Sequence, residues 1–170
     1  MAEKPVEQKF KTNVGYIGQI ILKVVIDHKD GHPELPDARL VAVGNKVLED
    51  MEPVDIIFNF ILFSQQYWPQ IKARQETFFT ERADEVFGKI PYVNLKAFSI
   101  IFERKLIDAE NKRKLWDYFN VIVRQAIAYL HNLQKANPSK PVVISTKGQP
   151  KEFNAEQIRS LIVEYEVTKF

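Results

Sequence analysis

The sequence predicts an all-α fold, an irregular bundle of about seven helices around one long central helix at 109–135. Three observations carry that expectation. Apolar residues recur at three- and four-residue steps along most of the chain, and prolines or turn dipeptides separate those runs. Residues 109–135 hold neither Gly nor Pro and bear two interleaved apolar stripes. A chain of 170 residues with 45% apolar and 27% charged residues suits one domain with one core. We therefore expect a single helical domain over 1–170, with a flexible N-terminus (1–12) and a loop at 136–153.

From Tyr16 a helical face reads Ile17, Ile20, Ile21, Val24 and Val25, until "DHKDGHPELP" (27–36) stops it. Asp37 is placed to cap a second helix with Leu40, Val43, Val47, Leu48 and Met51 on its inward stripe. Pro53 suits the first turn of a third helix burying Ile56, Ile57, Phe60, Phe63 and Tyr67. Pro69 restarts the chain in the same way, and Ile71, Gln75, Phe78 and Phe79 share one face with Arg74 on its border; Val86 and Phe87 then precede the breaker "GKIP". Asn94 is a candidate cap for a helix with Leu95, Phe98, Ile101, Phe102 and Leu106. Asp108 then caps the long helix, whose stripes are Leu115-Phe119-Ile122-Ala126-Leu130-Leu133 and Trp116-Val123-Ile127. At 1.5 Å per residue it runs about 40 Å, well beyond the expected domain radius of about 15 Å. A helix apolar on more than one side has to be surrounded. "SKPVVISTKGQPK" reads as a loop or a lone extended piece, and Asn154 with Gln157 as the capping box of a last helix with Ile158, Leu161, Ile162 and Tyr165 inward.

Several chemistries find no support. Without cysteine there is no disulfide, thiolate nucleophile or cysteine-bearing metal site. No phosphate-cradling glycine loop, nucleophile elbow or HExxH pair occurs, so no catalytic residue and no cofactor is assigned. Asp27, His28, Asp30 and His32 crowd one turn, but a DG turn gathers polar residues for backbone reasons, and no metal is assigned there. The acids Asp84 with Glu85 and Asp108 with Glu110 read as first-turn charges favoured by the helix dipole. Neither "IIFNFILF" nor "YIGQIILKVVI" reaches the ~20 residues of a membrane span, and the charged start "MAEKPVEQKFKT" is unlike a secretory signal. The expectation is a chain that is not exported.

Two groups of residues remain as candidates for contact. Lys112, Arg113 and Lys114 open the long helix, and Lys135, Lys140 and Lys147 occupy an acid-free stretch at 132–151, together a candidate edge for nucleic acid or another anionic partner. In "QQYWPQIKARQETFF" (65–79), Trp68 and Arg74 form a candidate recognition corner within what otherwise reads as a meeting of two buried faces.

"YWPQIKARQETFF", the following "GKIP" and "NLKAFSIIFERKLIDAENKRKLWDYFNVIV" resemble helical proteins of unknown function from nucleocytoplasmic large DNA viruses, through Lys112, Leu115, Trp116, Tyr118 and Phe119 and over about residues 60–130. That resemblance implies a non-enzymatic structural or protein-interaction role. The chain would be a minor virion component or an infected-cell factor, located in the particle or the host cytoplasm, with other proteins or itself as partner. A nucleic-acid-binding accessory role is the alternative. The enclosure of an apolar helix by amphipathic ones also resembles the Bcl-2-like host-interaction bundle, whose "NWGR" this sequence lacks.

Overall fold

The computed structural model describes residues 3–82, 95–146 and 149–170. Among them are seven α-helices and one two-stranded sheet: α1 (Val6–His28), α2 (Ala38–Asp50), α3 (Pro53–Ser64), α4 (Trp68–Lys72), α5 (Leu95–Glu103), α6 (Ala109–Ala136), β1 (Val142–Thr146), β2 (Gln149–Phe153) and α7 (Ala155–Glu164). The fold is all-α in character, a helical bundle with α6 at its centre. The expected breaker at 88–91, the Asn94 cap, the apolar pair Val86 and Phe87, the acids Asp84 and Glu85, and Lys147 lie outside the described residues.

α6 is organised as its pattern requires. Asp108 accepts a hydrogen bond from the Asn111 amide at 2.7 Å, and both stripes are buried except for half-buried Leu133. Its 28 residues extend about 42 Å and pack against α1, α3, α4, α7 and β1. At its first turns Trp116 and Phe119 meet Phe79, whose ring also stacks on Phe102 at 4.3 Å and Phe98 at 5.5 Å. Stacked and edge-on contacts of this kind stabilise beyond area burial alone.

Elsewhere the structure departs from the pattern. α1 begins at Val6 rather than near Tyr16, so most of the supposed flexible N-terminus is helix. Phe10 explains the extension, since it is fully buried with its ring 5.3 Å from Phe60. α2 has the expected Asp37 cap, accepting from the Arg39 amide at 2.8 Å, but a different rotation: Val41 and Gly44 face inward, whereas Leu40 and Val43 face solvent. The helix expected to run from Pro69 through Phe79 stops at Lys72, and Gln75 is exposed. Arg74 takes a left-handed conformation (φ 55°); its amide donates to the Ile71 carbonyl while the Gln75 amide donates to the Gln70 carbonyl, the paired bonds of a Schellman cap. Phe78 and Phe79 therefore sit on a separate π-helical turn, Phe78–Arg82.

The same cap ends α5 at Lys105 and α7 at Glu166, each with positive φ. In both, an apolar residue follows, Leu106 or Val167, and donates its amide to Ile101 or Ile162. The 136–153 segment is not simply a loop: β1 and β2 pair antiparallel with Val142 opposite Phe153 and Ile144 opposite Lys151. Val142, Ile144 and Phe153 enter the core and Val143 faces out, the alternation of a half-buried strand. α7 carries the expected capping box, with Asn154 and Gln157 exchanging bonds of 2.8 Å. No helix among the described residues is long and apolar enough to cross a membrane.

Candidate functional site

Of the two residues of the candidate recognition corner, Trp68 belongs to the core and Arg74 to the surface. Trp68 is 1% exposed; its indole N–H donates to the Ser64 hydroxyl at 2.8 Å, which in turn donates to the Phe60 carbonyl. That chain of bonds satisfies both polar groups inside an apolar surround, and nothing of the indole is left to meet a partner. Arg74 is exposed and pairs with Asp117 on α6.

The basic edge divides into separate pieces. Lys112 pairs with Glu76 and Lys114 with Glu110, leaving Arg113 as the cation there without a carboxylate partner among the described residues. Lys135 lies at the other end of α6, about 35 Å along the axis from Lys112, with Lys140 beyond the helix in the exposed connection to β1. The two groups do not form one continuous surface. His28 and His32 approach with ring centroids 6.3 Å apart, and His32 bonds Glu34. Among the described residues no three His, Cys, Asp or Glu side chains are gathered to hold a metal.

Two features emerge that the sequence reading did not assign. The first is the outer face of α2, where Leu40 (62% exposed) and Val43 (58% exposed) stand one turn apart and half-buried Val47 follows a turn later. This face is outward because α2 seats on α1 by its opposite side. There the Asn45 amide donates to the Gly18 carbonyl at 2.9 Å, and the Lys11 ammonium donates to the Met51 carbonyl at 2.8 Å.

The second is a pair of adjoining clefts along the outer side of α6, of about 440 and 750 Å³, which share Val121 and Arg124. The smaller is bordered by Lys72, Arg74, Asp117, Asn120, Tyr165 and Glu166. Lys72 donates to the Glu164 carbonyl at 2.6 Å, and its ammonium lies 5.5 Å from the Tyr165 ring centre, so it closes the C-terminal end of α7. Burial, with the Glu164 carboxylate nearby, pushes the Tyr165 phenol up to about 12. Asn120 is committed to the backbone, donating to the Ile71 and Trp116 carbonyls. The larger cleft adds Lys9 and Glu3, which pair with each other, along with Val6, Val167 and Lys169. Lys9, first by hydrogen bond and then by charge, holds the Glu3 carboxyl below its ordinary value. Arg124, which breaks the apolar run "VIVRQAIAYL", was the one signal of this surface in the sequence.

No protein-family model, curated protein or solved structure matches this chain.

Proposed function

We propose that the chain is a non-catalytic interaction protein that receives a helix of a partner protein on the outer face of α2. The observation that carries this reading is the exposure of Leu40 and Val43 at helical spacing, with Val47 continuing the stripe. Apolar side chains at i, i+3 and i+7 match the seam by which one amphipathic helix packs on another. The resemblance of residues 60–130 to helical proteins of large DNA viruses supports placing the chain among their minor particle components or infected-cell factors.

The double variant Leu40→Glu/Val43→Glu tests the surface. Neither residue belongs to the core, so its stability should stay within about 0.5 kcal/mol of the parent. In infected cells the parent chain should be incorporated into particles, measured by quantitative proteomics of purified virions, and the variant should not. A parent chain absent from particles removes the virion role, and a variant incorporated at the parent level removes α2 as the docking face.

A further inference from the structure

We propose that the adjoining clefts along α6 bind an extended acidic segment of a partner protein, with Arg124 as the central contact. This inference uses none of the α2 residues and stands or falls apart from that reading.

The first support is charge. Lys9, Lys72, Arg74, Arg124 and Lys169 line the two clefts, against the carboxylates Glu3, Asp117 and Glu166. Their side chains carry two more positive than negative charges, so the groove holds a net attraction for an anion. Lys9 and Arg74 are engaged by Glu3 and Asp117. Arg124 has no carboxylate partner among the described residues, is exposed, and lies where the two clefts meet. Its five donors in a fixed fork suit two-point recognition of a carboxylate.

The second support is backbone conformation. Arg74 and Glu166, two of the non-glycine residues with positive φ, both border the smaller cleft. A side chain in that conformation costs about 1 kcal/mol relative to glycine. Glycine would end either helix at lower cost but would leave no charged side chain at the cleft. Lys105 has the same conformation and ends α5 away from the clefts, so the conformation belongs to the helix caps, and at Arg74 and Glu166 it also sets a charged side chain at the cleft.

Shape and polarity favour a peptide. The larger cleft has Val6, Val121 and Val167 among its walls, so it offers apolar contact between the charges. A peptide with acidic residues flanking an aliphatic one complements both features. Asp117 and Arg124 are two helical turns apart, about 10 Å, which about three extended residues span. Nucleic acid fits less well, since its affinity grows with a long track of unpaired cations.

Fluorescence anisotropy with three labelled probes decides the matter: the acidic peptide DLDVED, its basic counterpart KLKVKK and a short oligothymidine. The parent should bind DLDVED in preference to the other two, and less tightly as salt rises from about 50 to about 300 mM. Arg124→Glu should weaken binding roughly tenfold. Arg124→Gln should give a smaller loss, and Arg113→Glu, at an exposed arginine outside the clefts that has no carboxylate partner among the described residues, none. Circular dichroism of each variant checks that the fold is retained. Equal binding of DLDVED and KLKVKK, tighter binding of the oligothymidine, or a loss with Arg113→Glu as large as that with Arg124→Glu overturns the proposal.

Discussion

α6 and α2 are both amphipathic helices with a side-chain cap at the N-terminus, yet the first buries the residues its pattern nominates and the second does not. The difference lies in how many neighbours each one has. Among the described residues α6 packs on α1, α3, α4, α7 and β1 and meets α5 through Phe98, and apolar residues on several sides all find cover. α2 packs chiefly on α1, and a single contact line can bury only one narrow face. Because Leu40, Val41, Val43, Val47 and Leu48 reach round much of that helix, the pattern alone does not choose among its faces, and the face that meets α1 is the one from which Asn45 bonds Gly18. Periodicity therefore predicts that a helix forms, while its rotation depends on what lies opposite.

If the enclosure of α6 is the main source of cohesion, the largest loss should come from the ring that closes its first turns. Phe79 is 1% exposed and touches Phe98, Phe102, Trp116 and Phe119. Phe79→Ala should cost about 3–5 kcal/mol in urea unfolding, through lost burial and an unfilled cavity. That is a large share of the ~5–15 kcal/mol by which domains are usually stable. A loss below about 1 kcal/mol would mean that α6 is held mainly elsewhere.

The same contrast explains what was legible in the sequence. The α6 stripes, the Asp37 and Asp108 caps and the Asn154/Gln157 box depend on residues within one helix of each other, and all could be read directly. The break at Arg74 could not, because an arginine gives no sign that it will adopt a conformation usually left to glycine. The hairpin was obscured by Pro150 and the charges of β2, although Val142 and Ile144 alternate correctly. The α6 clefts draw Lys9, Lys72, Arg124 and Lys169 from widely separated parts of the chain, and only the tertiary fold brings them together. Trp68 looked like a contact residue because its N–H needs an acceptor, and the acceptor is Ser64, one turn earlier.

An intermediate effect tests the cleft side of α6. Tyr165 is buried against Trp68, ring centroids 6.0 Å apart, and its phenol is raised from 10.0 to about 12. The folded chain therefore favours the neutral phenol. Its contribution is fully present below about pH 10, where the phenol is neutral in both states, and is lost as pH rises from about 10 to 12, where the unfolded chain ionises first. Over that interval the parent should lose about 2 kcal/mol more than Tyr165→Phe, measured by urea unfolding at each pH. Parallel pH profiles would show that the ring is more open to water than its packing indicates.

The smallest expected effect concerns the seat that sets the rotation of α2. A methyl group added at Gly18 would stand 2.5 Å from the Asn45 Oδ1 atom and 2.9 Å from its Cγ, so Asn45 would have to swing away and give up its bond to the Gly18 carbonyl. Alanine gains about 1 kcal/mol over glycine within a helix, and the lost hydrogen bond costs about the same. Gly18→Ala in the parent should therefore leave stability unchanged or lower it slightly. In an Asn45→Ala background the obstruction and the bond are both gone, and the same substitution should add about 1 kcal/mol. The double-mutant cycle isolates the coupling between the two positions. A coupling near zero would mean that Asn45 does not register α2 on α1, and that the outward turn of Leu40 and Val43 is fixed by another contact.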